Sequence, residues 1–167
     1  KKQIQIFNNE YALKKVSFDE FIEMTKYLAE NLKDHNITVR PHPEEKISRY
    51  SFLKSYKNIK IDNKTSRIKQ LKKSKIFIHF NSTMSVQAKY FNNVVVMYNP
   101  ILNKKMLDVL SSVPTKISIN VKNLKDLVLI IKKSKKIKSQ INLERLLYNY
   151  NKKNKSSKLI INALGKF

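Results

Sequence analysis

Apolar and polar positions along the chain switch repeatedly between a period of two and a period near 3.6, and the switches outline the elements. A β-type run, Ile4-Gln5-Ile6-Phe7, lies near the start. Ser17-Phe18-Asp19-Glu20 reads as a capping box, and Phe18, Phe21, Ile22, Thr25, Leu28, Ala29 and Leu32 then share one helical face to about residue 34. The short run Ile37-Thr38-Val39-Arg40 is stopped by Pro41 and Pro43, which cannot donate to a ladder. A short helix over 46–54 follows.

The alternation then continues. Ile59-Lys60-Ile61 predicts a strand, 65–74 a helix, 76–80 a strand and 82–91 a helix. Val94-Val95-Val96-Met97-Tyr98 is a continuous apolar run, as expected of a strand covered on both faces of a parallel sheet. Pro100 ends it. A helix near 104–110, a strand over 116–119 and a helix over 123–133 complete the series. The pattern predicts an α/β domain over 1–140, a Rossmann-like doubly wound parallel sheet of about six strands with flanking helices. The remaining 141–167 predict a helical tail in two pieces, with Leu143, Leu146, Leu147 and Tyr150 on one and Leu159, Ile160, Ala163 and Leu164 on the other. This tail is expected to pack on the domain or on an N-terminal domain outside the chain. Because Lys1 leads almost directly into a strand-like run, the sequence reads as a fragment of something longer.

Composition narrows the chemistry. The 167 residues include no cysteine, three histidines and one glycine, Gly165, which excludes thiolate chemistry and every phosphate cradle built on an internal glycine loop, and argues against a zinc enzyme. Lys and Arg number 35 against 12 Asp and Glu, a net charge of +23. Such charge attracts phosphate. Yet only Arg40, Arg49, Arg67 and Arg145 are arginine, and the abundance of Lys, Asn and Ile together is what A/T-rich codons produce, so the composition argues against a nucleic-acid partner. An anionic inner-membrane surface is the better electrostatic partner, since lysine adds affinity there without defined geometry. No apolar run is long enough to span a bilayer and no signal peptide opens the sequence, so a cytoplasmic protein is expected, peripheral to the inner membrane if the charge acts there.

In a parallel sheet, ligands bind at the carboxyl ends of the strands. Two stretches fall there. Arg40 closes one strand and His42 stands between Pro41 and Pro43 in a stiff loop, a cation and a donor suited to phosphate, although Pro-x-Pro also simply ends strands. Asn81-Ser82-Thr83 follows the strand ending in His79 and Phe80, where Ser82 or Thr83 caps the next helix and its amides can hold an anion; an ordinary cap is the plainer alternative. Both loops are expected at the same end of one sheet. Asp62-Asn63 and Asn8-Asn9, each after a strand, are open to base or ribose contacts or to turn formation. His79 reads as a buried, hydrogen-bonded core residue and His35 as a helix C-terminal cap.

The succession "ITVRPHPEE", "IKIDN" and "LKKSKIFIHFNSTMSVQAKYFNNVVVMYNP" resembles the C-terminal, nucleotide-sugar-binding half of GT-B glycosyltransferases of bacterial capsule and surface-carbohydrate biosynthesis, in particular sialyltransferases and Kdo transferases. The resemblance covers about residues 37 to 100. It implies that His42-Pro43 contacts the donor nucleotide, commonly CMP, with Arg40 before it, and that Ser82 and Thr83 meet the donor phosphate. Where many relatives carry a glutamate for the ribose, this sequence has Gln87, a weaker hydrogen-bonding partner. The implied activity is inverting, metal-independent and cofactor-free transfer from a nucleotide sugar to a glycan or glycolipid acceptor, with the general base on an N-terminal acceptor domain outside this chain. A sugar-nucleotide epimerase, a polyol-phosphate transferase, or a basic module binding nucleic acid or membrane stand as alternatives.

Overall fold

The computed structural model describes residues 2–100 and 112–134, which form two compact units, one of residues 2–65 and 123–128, the other of 66–100, 112–122 and 129–134. The expected helix over 104–110, the tail over 141–167 and the boundary at residue 140 lie outside the described residues.

The first unit opens on helix α1, Lys2–Asn31. It absorbs the strand expected at Ile4-Gln5-Ile6-Phe7, and Ser17 lies inside it instead of capping a new helix. A four-residue apolar run cannot by itself distinguish strand from helix. Ile4, Phe7 and Tyr11 also fit helical spacing, and the helix formers Ala12 to Lys15 with no breaker carry the helix through Ser17. The predicted buried face holds: Ile22, Thr25, Leu28, Ala29 and Leu32 are buried, and Phe18 and Phe21 pack on the core. At the C-terminus, the Asn58 amide donates to the carbonyls of Ala29 (3.0 Å) and Leu32 (3.1 Å). His35, the residue expected to cap, supplies only its backbone N–H to Leu32 (2.9 Å) and leaves its ring exposed.

Strands β1 (Ile37–Val39) and β2 (Ile59–Ile61) pair in parallel, with Ile37 opposite Ile59, Thr38 opposite Lys60 and Val39 opposite Ile61. A 3-10 helix, Ile47–Ser55, joins them. Its apolar residues Ile47, Tyr50 and Leu53 recur every three positions, matching three residues per turn, and place Tyr50 and Leu53 in a core with Ile22 and Val39.

In the second unit β3 (Ile76–His79), β4 (Val94–Tyr98) and β5 (Ile119–Val121) form a parallel sheet in the order β3-β4-β5. β4 is central, and Val95, Val96, Met97 and Tyr98 are all buried, as its uninterrupted apolar run requires. Helices α2 (Arg67–Lys73) and α3 (Met84–Tyr90) belong to this unit, with Leu71, Ala88 and Val95 forming its core cluster. Ser66 caps α2 by accepting from the Lys69 N–H (3.3 Å). The strand expected over 116–119 begins three residues later, because α4 (Ser112–Ile117) precedes it. Pro114 is tolerated in the first turn of α4, where a missing N–H leaves no bond unmade. Helix α5 (Leu124–Lys133) is capped reciprocally: Asn123 Oδ1 accepts from Asp126 N–H (2.9 Å) and the Asn123 amide donates to the Asp126 carboxylate (2.7 Å).

The fold is therefore α/β with parallel pairing throughout, but five strands stand in two small sheets where one doubly wound sheet of six was expected. One expected strand is helical. The division has a visible correlate in side-chain placement: Thr38 and Lys60, opposite each other, are both exposed, so the β1-β2 sheet covers only one face, whereas a doubly wound sheet needs both covered.

α3 ends in a left-handed turn at Asn92 (φ 60°), with Asn93 N–H donating to Ala88 O (3.0 Å) and Asn92 N–H to Lys89 O (3.0 Å), the Schellman pattern. Asparagine tolerates this conformation; a β-branched side chain does not. Asn92→Val is expected to lower unfolding free energy by about 1–2 kcal/mol and Asn92→Gly to leave it nearly unchanged, read by chemical denaturation.

Candidate functional site

The His42 loop leaves the carboxyl end of β1. Pro41 is buried and Pro43 exposed, and the His42 side chain is 65% exposed. Arg40 does not simply project from the strand end: its Nη1 donates to the Thr65 carbonyl at 2.7 Å, tying this loop to the turn after β2. That turn is organised by Asp62, whose carboxylate accepts from the N–H groups of Lys64 (3.1 Å) and Thr65 (2.9 Å) and from the Thr65 hydroxyl (2.8 Å), with Lys60 at 3.2 Å. The Thr65 hydrogen bonds, then Lys60, hold the Asp62 carboxyl well below the ordinary carboxylate range. Asp62 is thus engaged as a turn former. Asn63 beside it is exposed.

Two glutamates flank the histidine. His42 N–H donates to Glu45 Oε2 (2.8 Å), Glu45 N–H returns to His42 O (2.9 Å), and the same Glu45 oxygen accepts from the buried Tyr50 hydroxyl (2.6 Å). Burial and this hydrogen bond push the Tyr50 hydroxyl well above its ordinary pKa, so it remains a donor. Glu44 N–H donates to His42 Nδ1 (3.4 Å), and the Glu44 carboxylate stands 3.6 Å from that nitrogen. With Nδ1 accepting, the neutral ring carries its proton on Nε2.

His79, at the end of β3, organises the second loop. Its ring is buried, Nδ1 accepts the Ser82 N–H (3.1 Å), and Nε2 meets the Ser118 hydroxyl at 2.9 Å. Ser118 donates its own proton to the Pro114 carbonyl (2.6 Å), so Nε2 must be the donor toward Ser118. The protons between Ser82, His79, Ser118 and Pro114 are thereby assigned. The ring is neutral, and burial lowers its pKa from 6.5 to about 4. Reading His79 as a hydrogen-bonded core residue is correct; Ser118, 39 residues away, leaves no local signal in the sequence.

This corner engages four of the amides at the start of α3. Ser82 N–H goes to His79, Met84 N–H to Ser82 Oγ (3.2 Å), Ser85 N–H to Ser82 O (3.0 Å) and Val86 N–H to Thr83 O (3.2 Å). Ser82 is the side-chain cap, and Thr83 makes no capping bond. Comparison with protein-family models, with curated proteins and with solved structures gives no match. The chemistry must be read from the chain's own geometry.

The expected pairing of the two loops at the end of one sheet is not found, because the His42 loop follows a strand of one sheet and the Ser82 turn a strand of another. Asn8 and Asn9 lie within α1, not after a strand. Asn81 is exposed and Gln87 half-buried on α3. Among the described residues no three His, Cys, Asp or Glu side chains gather as for a metal ion, and no helix is long and apolar enough to cross a membrane.

The His79 corner fixes a pH response. Unfolded, the ring takes a proton near 6.5; folded, only near 4, so the unfolded chain binds the proton first as pH falls. This stabilising contribution is complete above about pH 6.5 and is lost on acidification toward pH 4. Unfolding free energy is expected to fall by about 2 kcal/mol from this group between pH 7 and pH 4.5. Guanidinium denaturation of wild type and His79→Gln checks it: the variant should show a correspondingly flatter profile, and parallel profiles would assign the acid response elsewhere.

Proposed function

We propose that the chain is the donor-binding part of a glycosyltransferase that transfers a sugar from a nucleotide sugar, with a CMP-sugar favoured, to a bacterial surface glycan by inversion and without a metal ion. The observation that supports this best is the His42 loop: an exposed imidazole between two prolines, at the carboxyl end of a parallel strand, with Nδ1 accepting the Glu44 N–H. A preorganised donor of this kind stabilises charge developing on a leaving phosphate. Arg40 adds positive charge at the base of the loop while bracing it, and Pro43 limits its motion. Ser82 and Thr83 enter the proposed donor site through resemblance alone, the Ser82 and Met84 N–H groups being engaged within the fold. The general base and the acceptor site are assigned to an N-terminal domain outside this chain, and the lysine-rich surface to the inner-membrane face where glycolipid acceptors reside.

A basic module for nucleic acid or anionic membrane is the competing reading, favoured by the net charge of +23. The two differ in salt dependence and base preference. Calorimetry with CMP, CDP, UDP, GDP and a single-stranded oligonucleotide at low and high salt is expected to show one preferred nucleotide, with affinity reduced about tenfold or more by His42→Ala. Glu44→Gln, which removes a carboxylate beside the imidazole, is expected to tighten that nucleotide severalfold at low salt and less at high salt. Steeply salt-dependent oligonucleotide binding, without nucleotide preference and indifferent to His42, would overturn the donor-site reading.

A further inference from the structure

The His42 loop contains a carboxylate that attraction of phosphate does not explain. Glu45 brings negative charge to the loop, yet one of its oxygens accepts two hydrogen bonds, from His42 N–H at 2.8 Å and from the Tyr50 hydroxyl at 2.6 Å. Tyr50 is 3% exposed, packs in the cluster with Ile22, Val39 and Leu53, and meets the Phe18 ring edge-on at 5.4 Å. A continuous line of contacts therefore runs from the core through the Tyr50 hydroxyl and the Glu45 carboxylate to the His42 backbone. Pro41 and Pro43 fix their own φ angles, and Pro43 biases His42 away from the helical region without selecting a single conformation. The Glu45 bond to the His42 N–H, closed by Glu45 N–H to His42 O at 2.9 Å, narrows that range further.

We propose that Glu45 and Tyr50 are positioning residues, holding the His42 imidazole in the orientation in which it meets a ligand phosphate. The ligand half of this inference rests on the donor-site reading above; the loop-fixing half stands on the hydrogen bonds alone. Tyr50 acts only through Glu45, and Glu45 through the His42 backbone.

The test pairs Tyr50→Phe, which keeps the ring and its packing, with Tyr56→Phe, which removes a comparable hydroxyl bond, to Glu30 at 3.1 Å, elsewhere in the same unit. Amide hydrogen exchange at His42 and calorimetric affinity for CMP, CDP, UDP and GDP are measured for both variants and for Glu45→Gln. In Tyr50→Phe, His42 exchange is expected to accelerate and affinity for the preferred nucleotide to fall, each about tenfold, the scale of one lost charged-group hydrogen bond. Tyr56→Phe should match wild type in both, and Glu45→Gln, whose amide oxygen still accepts, should fall between. Unchanged exchange at His42 in Tyr50→Phe overturns the positioning role, as does faster exchange with undiminished affinity. If wild type binds none of the four nucleotides, the donor-site reading fails and takes the ligand half with it, while the exchange comparison still decides whether this pair fixes the loop.

Discussion

Side-chain hydrogen bonds to the backbone hold the turns and helix ends of this fold, and most of its other features follow from that. Gly165 is the only glycine, so residues 1–164 must make every tight turn without one. Asn92 takes the left-handed position after α3, Asn58 closes the end of α1, and Asn123 opens α5. Asp62 shapes the turn after β2, Ser66 caps α2, and Asn93 reaches from beyond α3 to the carbonyls of Leu71 and Ser74 at the end of α2. The abundance of asparagine, which composition alone presents as a codon effect, thus has a structural use. Each such bond is worth about 1 kcal/mol, so a fold built on many of them tolerates small losses one at a time.

The same device decides where chemistry can occur. A glycine loop offers a ligand its backbone amides, whereas here the N–H groups of Ser82, Met84, Ser85 and Val86 are answered by His79, Ser82 and Thr83 within the fold. The corner matching a phosphate motif in the sequence is held together by these bonds, two to side chains and two to backbone carbonyls. Exposed side chains on braced loops differ from this corner. The His42 loop has that character: Arg40, Glu45 and Tyr50 each make a hydrogen bond that braces it.

What the sequence makes legible is local. β2 and β4 fall where the patterning puts them, residue for residue, and β1 ends one residue short of Arg40, because their apolar residues match the pleat and prolines or turns bound them. The failures arise where a short pattern has two readings. Ile4-Gln5-Ile6-Phe7 has the composition of a strand but continues into helix formers, and Ser17 to Glu20 has a capping box only a chain entering from outside a helix would use. The stiffness of Pro41-His42-Pro43 is likewise visible in three residues. The contacts that complete each site are not: Ser118 lies 39 residues from His79, and Tyr50 reaches Glu45 only because a 3-10 helix sets its ring into the core. The separation of the sheets is long-range in the same sense, since it is the exposure of Thr38 and Lys60 together, and not either residue alone, that leaves one face of β1-β2 uncovered.

The two described histidines with hydrogen-bonded rings show how a single device yields opposite roles. In both, a backbone N–H a few residues onward donates to Nδ1, from Ser82 to His79 and from Glu44 to His42, and so leaves the neutral ring a donor at Nε2. In His79 that donor is buried and answered by Ser118, which makes the ring a fixed structural link whose protonation the fold resists. In His42 the side chain is 65% exposed. The same hydrogen-bonding pattern thus gives one ring that the fold encloses and one that it leaves exposed, and the difference lies in burial and in the presence of Ser118.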